Sequence, residues 1–535
     1  MRFVGMEQPR LPMLRRTLCL SALALTTFSV SPLPGEWNQW RGSQRNGVSD
    51  DSTPIVSALP QGKLEPVWES ETIPSDHDGG HSSPVVSGGR AYLSLVWHSR
   101  VPSEIRLIDD EVVGAVGHRG TKVLGPELTK KMEEARKARP ASLRGAALEE
   151  AAKKWVEGNF TEEQKLVLGS WAEQRYKQGK NAIDVELLDK VALRQNKPFA
   201  NPAEMLAWAE AEFPPEVRDR ILAAIPDTIK VGKDTLVCLD AQSGRLLWKF
   251  EHEGKPTGRS TSGTPAVVDG KVFTAGSTHL YAINAEDGAL IWKTELKPPG
   301  SGSSPLVQGD RIYLMAGALG CFAADTGKLL WTSKDARGST SSPVLWQTSD
   351  GSTTLVVSAS GAVLGLDPAT GEKRWQVEGG GEASPVVDGD HLVIFSGVQD
   401  VGLRCYLAQK DAPPKTLWSH WWMSRRYSGS PIIHEGHVYL MCGGKHQCLA
   451  LADGKLKWQE DVESTITSPL LMDGKLISVE QNGMFLRLIK ADPASYQLLG
   501  RAKVEAMWCP TPAPANGRLI VRRKDKVVCF DLRQQ

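Results

Sequence analysis

A unit of about forty residues recurs along this chain, and the repeat limits what the chain can fold into more than any single motif does. One copy reads TPAVVDGKVFTAGSTHLYAINAEDGALIWK, from Thr264 to Lys293, and the next SSPLVQGDRIYLMAGALGCFAADTGKLLWT, from Ser303 to Thr332. Each parses as four short strands. A hydroxyl residue and a proline open the first, a glycine turn leads into the second, an apolar run makes the third, and the fourth ends on tryptophan. The turn glycines Gly89, Gly270, Gly309, Gly389, Gly436 and Gly474 supply the positive φ that tight hairpins need.

The copies open at Pro84, Pro265, Pro305, Pro343, Pro385, Pro431, Pro469 and Pro512, and after the first gap the intervals run from 38 to 46 residues. Four strands with their turns account for that period. A four-stranded meander cannot bury both of its faces, so the copies must stack in a ring. The pattern therefore predicts an all-β fold: an eight-bladed β-propeller of four-stranded blades, against the alternative of seven blades plus an ornament. Closing tryptophans stand at Trp248, Trp292, Trp331, Trp375, Trp418 and Trp458. The seventh copy has Leu498-Leu499 there, and the eighth stops before a fourth strand. Glu65 to Glu69, with Trp68, carries the missing pattern, so an N-terminal strand is expected to complete the last blade and leave no spare strand.

These segments resemble the pyrroloquinoline-quinone-type propeller repeat, A-x-D-x-x-T-G-K-x-x-W, which stands here as CLDAQSGRLLW, AINAEDGALIW, CFAADTGKLLW, GLDPATGEKRW and ALADGKLKW. WNQWRGSQRNGVS, Trp37 to Ser49, is similar to the opening segment of secreted bacterial members. The resemblance implies that Trp68, Trp248, Trp292, Trp331, Trp375, Trp418 and Trp458 dock neighbouring blades. It says little about function, since the same repeat serves quinone dehydrogenases and non-catalytic scaffolds.

Blade 1 is interrupted by about 136 residues, far more than a loop. Thr161-Glu-Glu-Gln164 is a capping box, and Asn201-Pro202 caps another helix; further helices are expected near 127–138, 143–157, 184–195 and 215–225. The expected divisions are an export signal at 1–35, the closing strand and start of blade 1 at 36–97, a mostly α-helical insertion at 98–233, and the remaining propeller at 234–535. Strand alternation puts the insertion on the face that carries the interblade connectors, where a partner-binding arm is the favoured role over a lid or an ornament.

Arg15-Arg16 before the apolar run Leu18 to Val30 reads as an export signal, too short to span a bilayer, and no other stretch reaches that length. A periplasmic or extracellular protein is expected. Lysine and arginine number 63 against 62 acidic residues, which leaves no electrostatic footprint for nucleic acid. Of eight cysteines, Cys238, Cys321, Cys405, Cys448 and Cys529 share one repeat position and read as small buried apolar side chains. Cys442 and Cys448 flank a short turn, open to a cross-strand bridge or, with His446, to a metal.

There is no HExxH, GxSxG, GxGxxG, phosphate-loop or CxxCH pattern and no adjacent cysteine pair, so no catalytic residue and no metal ligand is assigned. Six positions before the opening proline, three blades carry arginine: Arg259, Arg337 and Arg425. Asp78 and His81 in the first blade, Trp422 and Arg426 in the sixth and Trp508 in the eighth join them as candidate ligand-binding residues. Converging guanidinium groups suit an anionic ligand and aromatics a planar one or a sugar; structural ion pairing is the competing explanation. The expected function is a monomeric, non-catalytic binding or scaffold protein taking an envelope protein or a small anionic or sugar ligand on the connector face, with no cofactor required. The alternatives are a dehydrogenase of alcohols or sugars using pyrroloquinoline quinone with calcium, and a carbohydrate-binding propeller.

Overall fold

The structure is a computed structural model that describes residues 1, 36–73, 79–257, 260–424, 426–462 and 467–534. The export-signal reading at 1–35 falls outside the described residues, as do Asp78, Arg259 and Arg425.

The repeat folds into eight sheets. Blade 2 shows the pattern: Ala266–Val268, Lys271–Ala275, His279–Asn284 and Leu290–Glu295 pair antiparallel in chain order. In blade 3 a single segment, Arg311–Ala323, pairs with Leu306–Gln308 at one end and with Leu329–Gly338 at the other. Alternate residues of each strand face the next sheet. Val85, Tyr92, Leu236 and Cys238 of blade 1 pack against Val267, Val272, Tyr281 and Ile283 of blade 2, all buried.

A ring of hydroxyls closes the circle. The residue before each opening proline offers its hydroxyl to the blade before it. The amides of Ser83, Thr264, Ser304, Ser342, Ser384 and Ser430 donate to the hydroxyls of Thr264, Ser304, Ser342, Ser384, Ser430 and Ser468 in turn, at 2.8–3.0 Å. The Thr511 hydroxyl donates to Ser468 O at 3.2 Å, and the Thr511 amide to the Ser83 hydroxyl at 2.9 Å. Each of these hydroxyls accepts an amide from the preceding blade, so the inner edges of neighbouring blades are joined through side chains.

The last blade is completed by the other end of the chain. Trp68–Glu69 pairs antiparallel with Val527–Asp531, in register Trp68 to Cys529. One strand is nonetheless spare: Gly62–Lys63 adds in parallel to Leu498–Lys503 of blade 7, making five strands. Blade 7 lacks a closing tryptophan, and Leu59 and Leu64 are buried along that bare edge. Gly500 admits this approach, since a Cβ there would lie 2.7 Å from the Leu59 nitrogen.

Five of the tryptophans lie against a glycine of the following blade. A Cβ on Gly244 would fall 2.3 Å from the Trp68 ring, and Gly288, Gly327, Gly371 and Gly454 stand likewise under Trp248, Trp292, Trp331 and Trp418. The indole Nε1 of Trp68, Trp248, Trp292, Trp418 and Trp458 each donates to a backbone carbonyl of the next blade. Opposite the tryptophan across the same sheet stand Cys238, Cys321, Cys405, Cys448 and Cys529, all buried thiols pushed well above the ordinary cysteine range by desolvation. Cys442 pairs with Lys445 and Cys448 with Tyr439. The two thiols are unbridged, because they belong to different rungs of the ladder.

In blade 1, Arg90–Pro102 and Thr228–Asp240 form a ribbon of unbroken register from Arg90–Asp240 to Pro102–Thr228, so the strands extend past residue 97 and begin before 234. Helices between them include Gly125–Ala138, Gly145–Asn159, Val185–Leu193, Pro202–Glu212 and Pro215–Ala224. Thr161 and Gln164 complete a capping box, and Asn201 caps its helix through the Glu204 amide. The helices carry two cores of their own, one around Leu188, Val191, Phe199 and Ile221, the other around Met132, Val156 and Ala172. Buried Arg136 and Arg175 share Glu133 between them.

Candidate functional site

The hydroxyl ring forms the neck of an axial cup of about 230 Å³. Period-two alternation puts the residue three before each proline on the same side as the residue one before it. That second tier also lines the cup: His81, Ser262, Gly302, Thr340, Glu382, Ser428 and Cys509. Charge enters through Glu382 and Arg426 among the described lining. Cys509 holds φ 83°, a backbone conformation that a residue with a side chain adopts only where its surroundings hold it there.

The floor of the cup is Trp40, part of the segment Trp37 to Ser49. That segment binds the far halves of the opening strands. Trp37 bridges Val86, Asn38 exchanges hydrogen bonds with Val267, and Gly47 and Ser49 bond to Leu471. Arg45 donates to Pro305 O at 3.0 Å, Ser304 O at 3.3 Å and Gln39 Oε1 at 3.1 Å, and Arg41 donates to Pro431 O and Asn46 O. Desolvation pulls both guanidinium groups down to about 9, with Arg45 adding to the effect at Arg41. The strands run from the connector face to the opposite face, so this plug closes the far end and the cup opens among the connectors.

The helical insertion shares that face. A pocket of about 390 Å³ is lined by Asp109, Asp110 and Glu111 of the insertion together with Pro256 and Thr257 of the connector from blade 1 to blade 2.

Of the residues singled out by sequence, His81 and Arg426 line the cup. Trp508 stands beside it, its ring 5.6 Å from His81. Trp422 turns away and stacks on Phe395 at 5.2 Å, its Nε1 donating to Gly443 O. Arg337 is exposed at the end of a blade 3 strand, paired with Ala318, and is not in the lining. An offset of six is out of phase with the ring; an offset of three would have found Glu382, Thr340 and Cys509.

The lining bears on a quinone cofactor. Pyrroloquinoline quinone is a planar tricarboxylate that binds with calcium, and such a ligand calls for cations, several oxygen ligands and a pocket of about 300–1,000 Å³. The cup offers about 230 Å³, with Glu382 as its carboxylate and Arg426 as its guanidinium among the described residues. No group of three His, Cys, Asp or Glu is placed to hold a metal among those residues. The described lining does not fit that group. Among the described residues no helix is long and apolar enough to cross a membrane.

A family model described as outer membrane protein assembly factor BamB matches residues 232–409 and 315–470. No curated protein matches the chain. Among solved structures, BamB from Moraxella catarrhalis is similar at 16% identity over 56% of this chain and 89% of that one, with a TM-score of 0.45. Quinohemoprotein alcohol dehydrogenase from Comamonas testosteroni is similar at 11% identity over 57% and 73%, TM-score 0.40. A europium-containing methanol dehydrogenase is similar at 12% over 86% and 90%, TM-score 0.42.

Proposed function

We infer that this chain, a propeller of the pyrroloquinoline-quinone-like repeat family, is an exported, non-catalytic scaffold that binds an envelope protein across its connector face. The observation that carries this reading is the placement of the helical arm: it is held on an unbroken ribbon on the face where the cup opens. A flat ring with a rigid arm beside it presents two walls to a partner. Many hydroxyls of the cup are committed to the ring, and a hydroxyl with no positioned base is a poor nucleophile. The tryptophans at the blade junctions serve the scaffold by docking each blade to the next. Arg426, His81 and Trp508 would contribute at the cup.

The test places a photo-crosslinking amino acid at Arg426 in one variant and at Leu193, an exposed residue of the arm, in another, in cells exporting the protein. One and the same envelope protein should be captured from both positions, and not from a position on the plugged face. Saturable binding of pyrroloquinoline quinone with calcium, with dye reduction by an alcohol or sugar, would overturn the reading.

A further inference from the structure

A cavity of about 580 Å³ lies at the rim between blades 4 and 5, away from the cup. It opens on the plugged face, because the turns that line it join first to second strands and third to fourth. We propose that this groove is a binding site for a neutral saccharide.

The groove exists because two features of the repeat fail together at this one junction. Opposite its closing tryptophan, blade 4 has Gly365 where five blades have cysteine and blade 2 has Ala282. A Cβ on Gly365 would fall 2.0 Å from Cε2 of Trp375, so the indole has folded back over its own sheet. The facing turn of blade 5, Gln409 to Pro414, carries no glycine for an indole to rest on. Trp375 makes no bond to a blade 5 carbonyl of the kind that five of the tryptophans make, and its ring lines the open groove instead. Trp346 packs edge-on against it, centroids 6.1 Å apart, and is anchored by its own Nε1 to Gly389 O at 2.9 Å.

The polar rim selects the ligand. The Asp411 carboxylate and the Gln409 amide are exposed on one wall and make no side-chain hydrogen bond. On the other wall the Thr348 hydroxyl and Ser352 amide hold the Asp350 carboxyl down at about 2, so it stays ionised. Arg374 is taken up by Asp367 and Thr353 O. Lys410 also acts on Asp350, so the rim is rich in acceptors and mixed in charge, which suits a neutral ligand rich in hydroxyl donors. A pyranose meets both demands, laying its C–H face on an indole and its hydroxyls toward carboxylates. A proline-rich peptide offers carbonyl acceptors, the wrong partners for these groups. The volume falls within the range of small-molecule pockets.

The test is saturation-transfer NMR with the whole protein and three neutral disaccharides, maltose, cellobiose and N,N′-diacetylchitobiose. Galacturonic acid and a proline-rich peptide serve as counter-probes. At least one disaccharide should bind saturably through its ring C–H protons. Asp411→Asn should weaken it about tenfold, the size of one charge-assisted hydrogen bond. Gly365→Ala, which restores the Cβ that blade 2 carries and drives the indole outward, should abolish it while leaving thermal unfolding cooperative. Binding by none of the disaccharides overturns the proposal. So does binding that survives both substitutions, or preferential binding of either counter-probe.

Discussion

Trp68→Ala tests whether the N-terminal strand locks the ring. The indole is 8% exposed, rests on Gly244 and donates to Ala241 O at 3.2 Å. Its strand supplies further bonds to blade 8: the Val67 and Ser70 amides donate to Cys529 O and Val527 O, and Glu69 pairs with Arg523 and Lys526. Truncating a buried tryptophan costs about 3–5 kcal/mol. With an unfolding entropy of about 2.1 cal/mol/K per residue over roughly 500 residues, each kcal/mol moves the midpoint by about 1 °C. A fall of about 4 °C in Tm is expected by calorimetry. Trp248→Ala loses a similar set of contacts one junction on and should cost about the same. The two differ in hydrogen exchange: only Trp68→Ala should deprotect 527–531, where the Val527 amide donates to the Ser70 hydroxyl at 3.0 Å. A Tm within about 1 °C of the parent, or unchanged exchange at 527–531, would refute the lock.

Three further outcomes follow from buried charge. His446 is buried and its imidazole is pushed down to about 3, first by desolvation and then by Arg487. The unfolded chain therefore takes up the proton first, so the neutral ring's contribution is complete above about pH 6.5 and drains away as pH falls toward 3. Between pH 7 and 5 this amounts to about 2 kcal/mol, and chemical denaturation of His446→Gln should show a correspondingly flatter pH dependence. Burial raises the Glu133 carboxyl, but hydrogen bonds from Arg136 and Arg175 outweigh it and hold the group below its ordinary value. Its contribution is present above the ordinary carboxylate range and lost as pH falls through it; Glu133→Gln should cost the insertion about 3–5 kcal/mol, read as early loss of helical signal by circular dichroism while the β signal persists. Arg45→Ala leaves Ser304 O and Pro305 O without their donor and should lower the urea midpoint more than Arg45→Met, which refills the space; equal effects would count against the plug as a structural element.

How far the sequence reached depends on what kind of information each residue carries. Blade identity was legible because it is written in local spacing. A hydroxyl, a proline, a glycine turn and a tryptophan at fixed offsets can satisfy only a four-stranded unit, and the caps at Thr161 and Asn201 are local in the same sense. The cup was less legible because it depends on phase. Counting six back from the proline collected Arg337, which the structure leaves exposed, whereas residues three back converge on the axis by simple alternation. The plug was out of reach for a different reason. Arg41 and Arg45 look like surface arginines in sequence, and only a closed ring of carbonyls gives a buried guanidinium its partners. The groove at Trp375 is the instructive case. Its signal was present as two small departures from the repeat, Gly365 and the glycine-free turn before Pro413, some fifty residues apart in chain and meaningless singly. A repeat that docks each blade through one indole makes every departure at a junction a change in the surface. Sites in such a fold are therefore best sought where the repeat breaks.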